Sequence, residues 1–140
     1  MFLLLKYTLL YTVVLMMVAL GGMFSEGIDL AGESLIGAIV VGTGMPQLSA
    51  ERNIMAMYYD EKNERGHEFA YTCPGMNKVM QAAGRVIRTV EDIGIVALID
   101  DRFLESAYQK MFPREWGNFE VVEVGNVAKR VEKFWNEWLL

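Results

Sequence analysis

Gln81, Arg85 and Arg88 are the residues whose types and spacing could do chemistry. They lie four and three positions apart, the spacing that puts side chains on one face of a helix. Two guanidinium groups held side by side repel each other unless an anion or carboxylate lies between them. Arginine is also the side chain whose planar donors match pairs of phosphate oxygens. Gly84, next to Arg85, lets a ligand approach the chain closely. A triphosphate held partly by a neighbouring domain would satisfy that geometry. The same residues also suit an ordinary solvated helix face, and spacing alone does not separate the two readings.

The elements that must position these residues follow from hydrophobic patterning. Pro74 to Thr89 reads as a helix: proline suits the first turn, and Met76, Val79, Met80, Ala83 and Ile87 recur at helical spacing. It feeds "IGIVALI" (Ile93 to Ile99), a buried-strand candidate closed by Asp100 and Asp101. "LIGAIVVG" (Leu35 to Gly42) is another apolar run bounded by glycines. Ser49 can cap a helix whose apolar positions include Ile54, Met55 and Tyr58. "RFLESAYQKMF" reads as a helix ended by Pro113, and "FEVVEVG" (Phe119 to Gly125) as a short strand. A terminal amphipathic helix, capped by Asn126, carries Val127, Val131, Phe134, Trp135 and Trp138 on one side. Strand and helix alternate, which predicts an α/β fold with a mainly parallel sheet. In such sheets ligands gather at the carboxyl ends of strands, and "FSEGID" and "QAAGRVIR" are assigned there.

Composition bounds the function. The 140 residues suit one domain, and 53% apolar with 22% charged is globular. A net charge of −5 excludes a broadly basic nucleic-acid glove, so any contact with nucleic acid is local or shared with another domain. The one cysteine, Cys73, forms no internal disulfide or cysteine cage and fits a reducing compartment. The one histidine, His67, sits in the charged run "DEKNERGHEF" and reads as a solvated loop residue. The start, "MFLLLKYTLLYTVVLMMVALGG", has the apolar length of a signal peptide or membrane span. Lys6 inside the run and the β-branched Val13, Val14 and Val18 before Gly21-Gly22 favour a buried strand over residues 13–20. Residues 1–12 read as another strand or as a start that matches no domain boundary.

Two segments carry a resemblance. "GGMFSEGIDLAGESLIGAIVVGTGMPQ" resembles motif V and the following strand of the DinG/XPD group of superfamily-2 helicases. "YTCPGMNKVMQAAGRVIRTVEDIGIVALIDDRF" resembles motif VI and its sequel, and "YQKMFPREW" the segment after it. The likeness runs from about Val13 to Trp116 in the family's order and spacing. It implies a second RecA-like motor domain: a three-layer α/β sandwich with a mainly parallel central sheet flanked by helices. It implies ATP with Mg²⁺, bound between this domain and a first RecA-like domain that supplies the phosphate loop and the magnesium-binding acidic motif.

By position, Arg85 and Arg88 would be the catalytic arginines reaching the terminal phosphate, assisted by Gln81 and Gly84. Such arginines are generally worth on the order of 10³–10⁵ in rate. Ser25, Glu26, Gly27 and Asp29 would be the motif V residues coupling the nucleotide pocket to the DNA groove. Ser25, Thr43 and Gly44, with the amides around Gly42, are the candidates for single-stranded DNA phosphates. Asp101 and Arg102 would hold motif VI in place.

The chain departs from the family pattern in three respects. It has no G-x-x-x-x-G-K-[ST] loop, no Asp-Glu-Ala-His box, and one cysteine where some members use four for an iron–sulfur cluster. The expectation is a single domain over 1–140, truncated at its N-terminus, with no ATPase activity alone, no metal of its own, no membrane partner and a cytoplasmic location. Two competing readings are a small membrane-anchored or exported α/β protein, from the apolar start, and a non-catalytic interaction fragment, from the aromatic terminal helix.

Overall fold

A computed structural model describes residues 2–7, 12–17, 20 and 35–138. Four strands form one sheet in the order β2-β1-β3-β4: β1 Phe2–Tyr7, β2 Thr12–Met17, β3 Leu35–Val41 and β4 Ile95–Ile99. β3 and β4 are parallel, with Ile39 opposite Ala97. β1 runs antiparallel to both β2 and β3. The α/β class holds, but among the described residues the sheet is mixed: one parallel pair and two antiparallel pairs. The reason is β1, which lies between β2 and β3 and opposes both. β2 is thereby parallel in direction to β3, and Met17, Phe2 and Ile39 align across the three strands. Within the apolar start, residues 2–7 and 12–17 are two short strands of this sheet, the second where the sequence predicts a strand over 13–20. No helix among the described residues is long and apolar enough to cross a membrane.

The helices are α1 Ala50–Asn63, α2 Cys73–Ala83, α3 Ser106–Gln109 and α4 Val127–Trp138. α1 starts as its sequence predicts. Ser49 is extended, and its hydroxyl accepts the Arg52 amide at 3.3 Å, meeting one of the orphan donors of the first turn. Its predicted apolar face does not go inside, however. Ile54 is 67% exposed, and Met55 and Tyr58 are exposed too. What holds α1 includes polar contacts, Arg52 donating to the Ala70 carbonyl at 2.8 Å and the Tyr71 hydroxyl to Asn53 at 2.6 Å, beside a stack of Tyr59 on Phe69 at 4.8 Å. These partners lie on a π-helical turn, Glu68–Thr72, that leads directly into α2. His67, before that turn, is exposed as expected, but it is helical where the sequence predicts a loop, with its ring 5.3 Å from that of Tyr71.

α2 covers one face of β3. Met76, Val79 and Ala82 pack with Val40, Phe103 and Tyr108, and Leu20 and Leu98 close the cluster. A second cluster joins Leu35, Ala38 and Val86 with Val96. Side chains alternate across a strand, so Ala38 and Val40 look toward α2 while Ile39 and Val41 look away. On that other face Val41 and Ile99 are exposed. The described residues therefore form a sheet with one covered face, and the second helical layer of a three-layer sandwich is not among them.

The close seat of α2 depends on two glycines. Gly44 has φ +66, in the left-handed region that favours glycine. A Cβ on Gly75 would fall 2.6 Å from the Thr43 carbonyl oxygen and 2.9 Å from the Met45 amide nitrogen. The first turn of α2 is thus pressed against the loop that leaves β3.

The C-terminal third differs most from expectation. "RFLESAYQKMF" is not one helix: a 3-10 turn, Asp101–Leu104, precedes the one-turn α3. "FEVVEVG" is not a strand. Residues 119–123 have no ladder partners, and Val124–Asn126 is a 3-10 turn. α4 forms where the amphipathic pattern predicts, yet none of its residues is buried. Its aromatic rings meet each other, Phe134 and Trp135 edge-to-face at 5.2 Å.

Candidate functional site

The predicted helix over Pro74 to Thr89 stops early. α2 ends at Ala83, and Gly84 caps it with its amide donating to the Met80 carbonyl at 2.8 Å. Gln81 is on the last helical turn and exposed; Arg85 follows the cap in a turn, half-buried; Arg88 is exposed beyond it. The three side chains therefore do not share a helix face. They form a short arc around the helix end. Val86, 4% exposed, is the buried residue between the arginines, and Ile87, predicted to continue the apolar stripe, is exposed. The placement is electrostatically favourable, because a helix C-terminus carries partial negative charge.

Gly84 has φ −64, which any residue adopts, and a Cβ there would meet only the Met80 carbonyl oxygen at 3.3 Å and the Gln81 carbonyl oxygen at 3.9 Å. The dihedral does not require glycine at this point, and the two nearby atoms are carbonyl oxygens of the helix's own last turn.

The turn continues through an aspartate that the sequence reading did not single out. Asp92 Oδ2 accepts the amides of Arg88 at 2.8 Å and Thr89 at 2.7 Å. The Arg88 amide and then the Thr89 amide hold its carboxyl below the ordinary carboxylate range. No sequence signal marked it, because its carboxylate reaches back to amides three and four residues earlier.

This arc lies at the amino ends of β3 and β4. Gly94, which opens β4, is so close to β3 that its Cβ would fall 3.1 Å from the Ile36 carbonyl oxygen. The carboxyl edge is elsewhere. There the Gly42 amide donates to the Ile99 carbonyl at 3.0 Å, bringing Gly42–Gly44 beside Asp100–Arg102. Ile36 and Gly42 are six residues apart, so the edges are separated by about 20 Å of extended chain. The expectation that "QAAGRVIR" sits at the carboxyl ends is corrected: a segment that enters β4 must lie at its amino end.

At the carboxyl edge, Arg102 makes a two-pronged contact with Asp100: its Nε reaches Oδ1 at 2.8 Å and its Nη2 reaches Oδ2 at 2.7 Å. The Arg102 amide also donates to Oδ1 at 3.0 Å. The Arg102 side chain holds the Asp100 carboxyl below its usual range. Arg102 is thus tied to Asp100 in its own turn and also to the Tyr108 side chain of α3; Asp101 is exposed. Thr43 is 2% exposed with its hydroxyl withdrawn from the surface, and the Gly42 amide already donates to the Ile99 carbonyl, so Gly44 is the remaining predicted phosphate contact at this loop. Ser25, Glu26, Gly27 and Asp29 lie outside the described residues. An open groove between the end of α1 and α3 is lined by Asp60, Glu64, Glu68 and Glu105 against Arg65 and His67. Its acidic balance repels a phosphate tail.

A profile of the helicase C-terminal domain matches residues 8–119. The chain belongs to that family. Among curated relatives, a protein of Methanocaldococcus jannaschii named as a probable ATP-dependent helicase is 28% identical over 130 residues, covering 84% of this chain. The regulator of telomere elongation helicase 1 homolog of Caenorhabditis briggsae is 33% identical over 83% of this chain. The ATP-dependent DNA helicase chl-1 of Caenorhabditis elegans is 31% identical over 75% of it. The chain spans 20%, 13% and 13% of those relatives' own lengths. The resemblance carried by the two quoted segments agrees with these matches. In this helicase C-terminal domain the matched region contains the whole arginine arc and the carboxyl edge, and α4 lies beyond it.

Proposed function

We propose that this chain is the second motor domain of a DinG/XPD-like ATP-dependent DNA helicase. Arg85 and Arg88, assisted by Gln81 and Gly84, complete an ATP site whose phosphate loop and Mg²⁺ ligands belong to a first motor domain. One observation carries the reading. The arginines sit at the rim of the core, around a glycine that its own backbone does not require, in a chain belonging to the helicase C-terminal family. The donors on this arc are guanidinium groups and an amide, which suit phosphate oxygens and not a metal ion. Charge spreads over the phosphoryl oxygens as the terminal phosphate is transferred, and preorganised arginines stabilise it there.

The motif V residues Ser25, Glu26, Gly27 and Asp29 take part from the segment after β2. Single-stranded DNA is gripped through its phosphates at the carboxyl edge, by the backbone around Gly44. Asp101 plays no holding role in this reading, and Arg102 braces its own turn through Asp100. The protein works where DNA and ATP are both present, in the cytoplasm.

The test pairs the chain with a first motor domain from a relative and measures DNA-stimulated ATP hydrolysis. Arg85→Ala with Arg88→Ala is expected to lower kcat by about 10³-fold or more, with the fold retained by circular dichroism. Replacement of both by Lys, which keeps charge but loses the planar fork, is expected to rescue only part of it. Full turnover in the double alanine variant overturns the assignment.

A further inference from the structure

We propose that Asp92 is a positioning residue for Arg88, its carboxylate fixing the turn from which the arginine side chain departs. The proposal rests on the reading of Arg88 as a phosphate ligand given above. Between the end of α2 and the start of β4 the chain has no ladder to hold it. Its first part is tied to the helix: the Arg85 amide donates to the Ala82 carbonyl at 3.4 Å and the Val86 amide to the Ala83 carbonyl at 2.9 Å. Burial of Val86 against Leu35 and Ala38 anchors that part to the sheet.

Beyond Ile87, residues 88–92 are tied to one another. Asp92 Oδ2 takes the amides of both Arg88 and Thr89, the Asp92 amide returns a bond to the Thr89 carbonyl at 3.3 Å, and the Glu91 amide donates to Thr89 Oγ1 at 3.3 Å. The two bonds to the carboxylate are charge-assisted and are the short ones. A group that acts on a transferring phosphoryl works by being in place beforehand, and an error of about 1 Å can cost on the order of 10²-fold in rate. Asp92 does not reach the nucleotide in this reading. It sets where the Arg88 backbone stands.

The test uses two variants and two readouts. In the chain itself, amide hydrogen exchange at Arg88 and Thr89 is compared for the wild type, Asp92→Ala and Asp92→Asn. In the assembly with a first motor domain, kcat and KM for ATP are measured for the same proteins and for Arg88→Ala. Asp92→Ala is expected to speed exchange at both amides and to lower kcat by about 10- to 100-fold with KM little changed. Asp92→Asn keeps an acceptor oxygen and is expected to recover part of both. If both amides stay protected in Asp92→Ala, the clamp is not Asp92 and the proposal fails. If protection is lost but kcat is unchanged while Arg88→Ala still removes activity, the positioning role is wrong and the phosphate-ligand reading survives. If Arg88→Ala itself leaves turnover intact, that reading fails and takes this one with it.

Discussion

Gly75→Ala tests the seat of α2 against the sheet. Two effects oppose each other. Alanine in place of glycine inside a helix is worth about 1 kcal/mol in propensity. The new Cβ, however, would stand 2.6 Å from the Thr43 carbonyl oxygen, 2.9 Å from the Met45 nitrogen and 3.0 Å from the Met45 Cα. All three are backbone atoms, so no side chain can swing aside; the loop leaving β3 or the helix itself must move by most of an ångström. Overpacking of this kind costs about 1–3 kcal/mol, and contact with backbone on this scale belongs in the upper half of that range. The net expectation is destabilisation by about 1–2 kcal/mol. In urea this is a fall in midpoint of about 0.5–1 M at unchanged slope. Gly84→Ala is the internal control. Its φ of −64 is ordinary and its nearest obstacle is one carbonyl oxygen at 3.3 Å, so it is expected to be neutral or stabilising by about 0.4–1 kcal/mol. A Gly75→Ala protein at least as stable as the wild type would refute the account of how α2 meets the loop.

Two further outcomes follow from the same packing and pairing. Met76 is fully buried in the main cluster, and Met76→Ala is expected to cost about 2–5 kcal/mol in denaturant unfolding, enough to threaten folding at 37 °C. The Asp100 carboxyl is held below its unfolded value by Arg102, so its contribution is present above the ordinary carboxylate pKa and is lost as pH falls through the folded one. The stability difference between the wild type and Asp100→Asn is therefore expected to be constant near neutrality and to close below about pH 4, read from urea midpoints across that range.

The strands β3 and β4 were legible because continuous apolar runs bounded by glycines have few other uses in a chain this short. The Ser49 cap was legible because its chemistry is local. What failed was inference from periodicity without a partner. Ile54, Met55 and Tyr58 repeat as a core face should, yet α1 is held by Arg52, Asn53 and Tyr59. "FEVVEVG" alternates as a strand should, yet alternation supplies no neighbouring edge, and Val124 ends 92% exposed. In the arginine segment two signals competed: Ile87 continued the helical stripe, and Gly84 offered a stop. The stop won, because ending the helix there turns Val86 in place of Ile87 onto Leu35 and Ala38. The partners Asp92 and Asp100 were invisible to spacing on a helix face because each acts within a turn.

That early stop bears directly on the arginines. On a continued helix, Arg85 and Arg88 would have projected together from a surface fixed by core packing on its far side. In the observed turn they stand on either side of Val86 and Ile87, one half-buried and one exposed, at the point where the braced part of the molecule ends. α2 is seated at its start by Gly75, along its length by Met76 and Val79, and past its end by Val86. Its eleven residues span about 16 Å, most of the way from the carboxyl edge to the amino edge. Substitutions at the seat therefore report on the whole domain, whereas substitutions at Gly84, Arg88 and Asp92 fall beyond it. This separation is what makes the stability of this chain a quantity independent of the proposed role of the arc. A variant at the arc that lost stability together with that role would place those residues inside the packed core, contrary to the exposure of Gly84 and Arg88.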